Sequence, residues 1–525
     1  MFSLFKKTRE ETVSEMLKAT SSLKFSMIIH SFFIGLVGGL VIVAYRLLGE
    51  HLLGWFAGAC AFVKGNIFHI ALLFLGLVAV SLVVTFCVKQ EPNISGSGIP
   101  QVEGMIARRM HTDWKKVLFY KFFGGLLALG AGLSVGREGP SIQMGAAVGQ
   151  GVSNVSRKMD HEHKYLITAG AAAGLAAAFN APLAGVMFAL EEVHKNFSPI
   201  VLVSAMVSAV TADVVAKVSL GMDLVLRFEL PHFMPLKYYW TLLLLGILVG
   251  LSSFFFNNGL LLIKHLYQKM PGHLALRIMI PFLLAGILGL TFPILLGGGH
   301  KLIMDLPALN LGLWALLAIL VAKYLFTFLS FGSGVPGGIF LPLLALGAIM
   351  GNLFGVLVID LGIPREFLLH FIVLAMAGHF AAIVKAPITG MILVIEMTGS
   401  FAQLLPLTVV VFTALITSDL LRVPPVYEML LEDILKGKTT SDEGQGEKKT
   451  LIELPVHVGS QVEGKCISQV PWPENCLVVS VYRGSTEIIP KGNTRLRQGD
   501  LLLFMVNRSD SAAMLDHLTG LTTFK

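Results

Sequence analysis

The sequence predicts a duplicated, all-α polytopic membrane protein followed by a small α+β soluble domain. Three observations carry this. The 525 residues are 54% hydrophobic and only 14% charged, against roughly a quarter charged in soluble proteins. Apolar runs of membrane-crossing length follow one another from about Phe25 to Leu421. Finally, Gly130, Gly132, Gly136, Pro140, Gly145 and Gly149 recur as Gly332, Gly334, Gly338, Pro342, Gly347 and Gly351, each 202 residues on (332−130). Glycine and proline are costly inside helices, so their persistence in register marks places where the backbone itself is used.

Residues 1–24 form an N-terminal segment with charges at Lys6, Lys7 and Arg9, and no cleavable leader is expected there. The membrane portion is expected over 25–432, as two repeats of about 25–225 and 237–432. Leu72–Val88, Tyr238–Phe256, Leu311–Ser330, and Ile388–Thr398 continued through Leu404–Ile416 lie near the ~20 residues a spanning helix needs. Shorter runs suit broken or re-entrant helices, which persist only where protein or a water-filled cavity shelters the backbone. A second register, 205 residues long (386−181), repeats Ala181-Pro182, Gly185 and Glu191 as Ala386-Pro387, Gly390 and Glu396. Basic clusters at the N-terminus, at Arg108-Arg109 with Lys115-Lys116, and at Arg157-Lys158 with Lys164 mark cytoplasmic sides. They account for the net charge of +7, which is therefore not a nucleic-acid footprint. Cys60, Cys87, Cys466 and Cys476 show no metal-ligand spacing.

After a polar linker at 433–449, residues 450–525 read as a separate domain. Thr450–Val456, Leu477–Tyr482 and Leu501–Val506 are short apolar runs between turn residues, hence strands, the last expected to be buried on both faces. Gly484-Ser485, Lys491-Gly492-Asn493 and Gln498-Gly499-Asp500 supply turns, and Ser509–Leu518 closes with a capped helix. So small a domain is expected to need a partner copy for stability. Gly459-Ser460, Gly464-Lys465, Ile489-Pro490-Lys491-Gly492 and Gly499-Asp500 resemble the C-terminal subdomain of RCK/TrkA-type potassium-transport regulators. That resemblance implies a dimerising cytoplasmic module with an unidentified small ligand, an ion or a nucleotide.

Four membrane segments carry chemistry. Gly96-Ser97-Gly98-Ile99-Pro100 reads as a helix start that turns backbone N–H groups and a hydroxyl outward, an arrangement suited to anions. Gly136-Arg137-Glu138-Gly139-Pro140 places a glutamate within an apolar stretch, where ionisable groups are functional by default. At a helix N-terminus its carboxylate competes with an anion and leaves when protonated. Gly337-Gly338-Ile339-Phe340-Leu341-Pro342 is the repeat partner, with Phe340 where Glu138 stood. Two half-helix N-termini converging from opposite halves would hold an anion by fixed dipoles and still release it. The fourth is the Ala169–Glu192 stretch, read as a long apolar helix ending in Glu191-Glu192, with Tyr427 following Pro424-Pro425. Carboxylates are poorly placed at a helix C-terminus.

The motifs GSGIP (96–100), GREGP (136–140) and GxFxP (338–342), in that order, are those of the CLC family of chloride channels and proton-coupled chloride transporters, which the chain resembles over about 25–432. The resemblance implies inverted-topology repeats with broken and re-entrant helices, and a homodimer with one pore per subunit. It implies chloride bound by the Ser97 and Tyr427 hydroxyls and the N–H groups of Ile339 and Phe340. Glu138 would be the external gating glutamate and Glu192 the internal proton glutamate. Lys121, Arg137 and Glu103 match charged positions, and Ser97 implies chloride over nitrate.

The expectation is therefore proton-coupled chloride antiport, without a cofactor, in a prokaryotic inner membrane with the C-terminal domain in the cytoplasm. The alternative is a passive voltage- or pH-gated chloride channel of the same fold. A hydrolase using Ser97 would need an oriented base; His379 is the candidate, with no evident pairing to residue 97. Glu191-Glu192-Val193-His194 lacks the second histidine of a zinc site.

Overall fold

Eight helices of the first repeat correspond one to one with eight of the second. In the first they are α1 (Phe2–Val63), α2 (Ile67–Gln90), α3 (Ile99–Ile106), α4 (Trp114–Gly130), α5 (Glu138–Val155), α6 (Asp160–Phe179), α7 (Pro182–Phe188) and α8 (Pro199–Leu220). The second contains α9 (Tyr239–Lys269), α10 (Leu274–Thr291), α11 (His300–Asp305), α12 (Leu313–Gly332), α13 (Phe340–Asp360), α14 (Leu368–Val384), α15 (Pro387–Thr398) and α16 (Leu404–Leu420), and α17 (Val426–Thr439) follows. The computed structural model describes residues 2–156, 160–195, 197–226, 228, 234–270, 273–309, 311–439, 449–457, 459–483, 486–507 and 511–522. Arg157-Lys158, linker residues 440–448, the Gly484-Ser485 turn and the Ser509 cap lie outside them. Among the described residues, nine helices are long and apolar enough to cross a membrane.

Local chemistry sets many of the ends. Asn66 caps α2 by accepting from Phe68 N–H at 3.0 Å, and Asp113 caps α4 from Lys115 N–H at 3.0 Å. The Ala169–Glu192 stretch is not one helix. Asn180 turns left-handed (φ 53°) and Pro182 starts α7, just as Lys385 (φ 67°) and Pro387 separate α14 from α15. A proline cannot continue the preceding helix but fits the first turn of the next. The run from Ile388 to Ile416 is likewise broken, at Gly399 (φ 68°).

The repeated glycines divide by task. Gly132 and Gly334 take positive φ (77° and 88°) in the turns after α4 and α12. Gly136 and Gly338 pair with each other across the repeats. Gly145 and Gly149 instead let α5 cross α6 at backbone distance. A Cβ on Gly145 would lie 2.1 Å from Gly170 O, and one on Gly149 2.2 Å from Leu166 O. Gly351 does the same between α13 and α14, 2.3 Å from Phe371 O. At these crossings the glycines serve packing. Helices α13 and α14 form the centre, apolar all round and almost wholly covered, whereas α1, α2 and α8 leave apolar side chains on the outside.

The chain divides into two compact units, Met1–Ile434 and Leu435–Lys525. The second has a four-stranded antiparallel sheet, β1 (Lys449–Pro455), β2 (Cys476–Arg483), β3 (Thr486–Ile488) and β4 (Leu501–Asn507), in the order β1-β4-β2-β3, with α18 (Ser511–Thr522). Strand β3 was not anticipated. β4 is not buried on both faces: Leu502, Phe504 and Val506 pack under Leu518 and Leu521 of α18, while Leu501, Leu503 and Met505 are half-covered. One helix covers only one face of a sheet. Asp500, wholly buried, takes both bonds of the Arg483 fork at 2.8 Å. Burial would push its carboxyl up, but Arg483 and the Arg497 N–H hold it below the usual carboxylate range.

Two tests follow from these contacts. Gly145→Ala is expected to lower the thermal unfolding midpoint in detergent, the overpacking costing about 1–3 kcal/mol. Gly76→Ala, with nothing within 4 Å, is expected to leave it unchanged or slightly raised. In the full chain, Arg483→Ala is expected to cost the tail roughly 1–2 kcal/mol at pH 7, read by urea-dependent proteolysis. Because Asp500 is depressed in the folded state, its contribution is complete above the unfolded value of about 3.9 and fades as pH falls through the folded one. The difference between variant and wild type is therefore expected to close in acid.

Candidate functional site

Three loops meet at the centre of the first unit. Gly96 N–H donates to Val335 O (3.1 Å), and Gly337 N–H donates back to Gly96 O (3.0 Å). Gly136 and Gly338 exchange bonds of 2.6 and 2.8 Å. Equivalent residues exchanging the same bond imply a local two-fold between the repeats. Gly139 closes the group, since a Cβ there would lie 2.8 Å from Ser97 O and 3.1 Å from Gly338 Cα. The loops 96–100, 136–140 and 338–342, far apart in the chain, thus share one point. Two buried lysines brace the flanks. Lys121 Nζ donates to the carbonyls of Ile94 and Gly96 at 2.7 Å; Lys323 Nζ donates to Leu295 O (2.9 Å) and Gly297 O (2.7 Å).

Helices α5 and α13 start at this point, with Glu138 and Phe340 as their first residues. First-turn N–H groups have no acceptor within their own helix, so Ile339 and Phe340 present donors here. Ser97 is buried, its hydroxyl accepting from Ile99 N–H at 3.2 Å, with Gly98 left-handed (φ 92°) to start α3. Tyr427, the second residue of α17, is wholly buried, and its hydroxyl has no hydrogen-bond partner among the described residues. Phe340 connects these groups: its ring lies 4.5 Å from that of Phe380 and 6.0 Å from that of Phe188, which stands 6.4 Å from Tyr427. An unpaired buried hydroxyl and first-turn N–H groups are the kinds of donor that suit an anion without a full counter-charge.

Glu138 is wholly buried, its carboxylate folded back over Gly136, where a Cβ would come 2.3 Å from Oε2. Its neighbour Arg137 is not its pair. The guanidinium is bonded to Glu50, and Nε stays 3.9 Å from Glu138. Beside Arg137 lies a cavity of about 630 Å³, lined also by Arg46, Glu50, His300 and Lys301. The loop Gly297-Gly298-Gly299-His300 on its wall is the repeat of Gly96-Ser97-Gly98-Ile99, which the sequence reading missed. The offset 201 (297−96) aligns the glycines, but the serine and proline are gone.

The adjacent glutamates separate completely. They sit on a π-helical turn, Ala189–His194, after α7, a distortion common at functional sites. Glu191 leaves its own helix and caps the other repeat, accepting from Ile388 N–H (3.2 Å), Thr389 N–H (2.8 Å) and Thr389 Oγ1 (2.8 Å). Glu396 returns the contact, accepting from Leu183 N–H (3.1 Å) and Ala184 N–H (2.7 Å). Each carboxylate faces a positive helix end, which removes the objection to acids at their own helix terminus. Glu192 points inward, buried beside Glu103, with Oε1 unpaired. His379 bonds Leu343 O (2.9 Å) and Tyr324 Oη (3.3 Å), so it does not serve Ser97.

The family model described as voltage gated chloride channel matches residues 80–419, and that of the TrkA-C domain matches 451–519. A Vibrio vulnificus protein named H(+)/Cl(-) exchange transporter ClcA is 38% identical over 77% of this chain and 87% of its own length. A Klebsiella pneumoniae protein of the same name is 35% identical, again over 77% and 87%. The solved structure of a slow cyanobacterial Cl-/H+ antiporter superposes with a TM-score of 0.75 at 28% identity, over 79% of this chain and 99% of that one.

Removing one of the crossed caps tests their role. Glu191→Ala is expected to cost about 0.5–2 kcal/mol of stability, as loss of a helix cap does, and to lower the detergent unfolding midpoint. Glu192→Ala, which caps nothing, is expected to lower it less.

Proposed function

Because this chain belongs to the voltage gated chloride channel family, we propose that it is a proton-coupled chloride antiporter of a prokaryotic inner membrane, working as a homodimer with one ion path per subunit. Chloride is held at the centre by the Ser97 and Tyr427 hydroxyls and by the N–H groups of Ile339 and Phe340. Glu138 is the outer gate. As a carboxylate it occupies the anion position at the paired helix ends; once protonated it loses the attraction of the dipoles and swings into the 630 Å³ cavity. Glu192 passes protons from the cytoplasmic side. Coupling arises because chloride and the Glu138 carboxylate compete for one set of donors, so anion arrival releases a carboxylate that then takes up a proton.

What supports the reading is two buried carboxylates, Glu138 and Glu192, both within electrostatic reach of the buried Tyr427 hydroxyl. A passive channel needs one such gate at most. A second buried acid is costly unless it is protonated in turn. The names of the relatives agree with exchange. The TrkA-C domain is read as a cytoplasmic module for an unidentified small ligand.

The test is proton movement in liposomes driven by a chloride gradient at clamped voltage. Uphill proton flux is expected. Glu192→Gln is expected to keep chloride movement and abolish proton coupling, and Glu138→Gln to carry chloride independently of pH. Wild-type chloride flux without proton movement would make the protein a channel.

A further inference from the structure

Resting on that reading, one question is how water-borne protons reach Glu192, which is 3% exposed beside Glu103 at 5%. Lys195 ends the π-helical turn in the left-handed conformation (φ 55°). Its ammonium lies 3.8 Å from Glu103 Oε2 and bonds the carboxylate of Glu428 on α17 at 2.5 Å. The exposures are graded: the Lys195 side chain is 40% exposed and that of Glu428 51%, against 4% for Glu103. The bridge therefore stands where the buried acids meet water. Charged groups facing Glu192 are Glu103, Lys195, Glu428 and Glu191, the last committed to capping α15. His194, next to Lys195, is turned to Thr168 Oγ1 at 2.9 Å.

We propose that the Lys195–Glu428 bridge is a positioning latch on the cytoplasmic proton path, sharing one ammonium between Glu428 in water and the buried Glu103–Glu192 pair. Two carboxylates so close in a dry site cannot both carry charge, so the pair holds a proton whose retention depends on the cation beside it. When the ammonium sits with Glu103 it offsets one negative charge and eases proton release. When it swings to Glu428 the pair keeps its proton and the mouth opens to water. Glu428 directly follows Tyr427, so the same bridge tethers the first turn of the helix that bears the chloride-side hydroxyl.

The two partners then act in opposite directions, which a purely structural salt bridge would not. The measurement is chloride-driven proton flux of the reconstituted full chain against pH. Lys195→Met is expected to move the midpoint up by about half a unit or more, since the acids lose their cation. Glu428→Gln is expected to move it down, since the ammonium then belongs to Glu103 alone. Lys195→Arg is expected to keep the wild-type midpoint. Should Lys195→Met fail to fold, the downward shift in Glu428→Gln with an unchanged Lys195→Arg still decides. Midpoints that stay put, or that move the same way in both variants, overturn the latch and leave exchange intact. Wild-type protein that moves no protons overturns the exchange reading itself.

Discussion

Two helix N-termini can approach within one backbone hydrogen bond only where neither carries a side chain on the facing side, and the rest of this molecule is arranged around one such contact. Gly136 and Gly338 exchange N–H and C=O across the repeats, and Gly139 sits against Ser97 at a distance that leaves no room for a Cβ. The pairing uses the donors just ahead of each helix and leaves those of the first turn facing a common centre. Fixed partial charges at such a point suit an anion that must also leave, where a lysine would hold it too strongly. The real ammonium groups, Lys121 and Lys323, are kept behind the loops and spent on carbonyls.

Within this two-fold frame, the positions that keep their repeat partner build the scaffold and those that lose it build the site. Lys121 and Lys323 brace equivalent loops, and Glu191 and Glu396 cap each other's repeat. Glu138, by contrast, faces Phe340 across the axis, Ser97 has Gly298, and Glu192 has Met397 (192+205). A path with direction cannot be made from a symmetric pair of half-sites. Acid on one side and phenyl on the other puts one titratable group and one apolar wall at equivalent helix starts. The neighbouring glutamates 191 and 192 illustrate the division within a single turn.

The tail follows a different logic. Its stability rests on a small one-sided core under α18 and on the half-exposed Arg483, whose two charge-assisted bonds compensate the burial of the Asp500 carboxylate.

The sequence by itself determined the membrane class, the duplication, the three signature loops and the asymmetry of Glu138 against Phe340, because glycine, proline and intramembrane charge are costly enough to be visible in one chain. It determined the tail's main strands for the same reason, through short apolar runs between turn residues. Only the tertiary structure decided that Gly145 and Gly149 serve a helix crossing while Gly136 serves the site, since both are glycines and differ only in what stands 2–3 Å away. It also decided that Asn180 and Pro182 break the Ala-rich stretch, that Arg137 belongs to Glu50, and that Glu191 caps α15 while Glu192 turns inward. Arg137 and Glu191 find their partners 87 and 198 residues away, and a local pattern carries no information about which distant group will fill the space beside it.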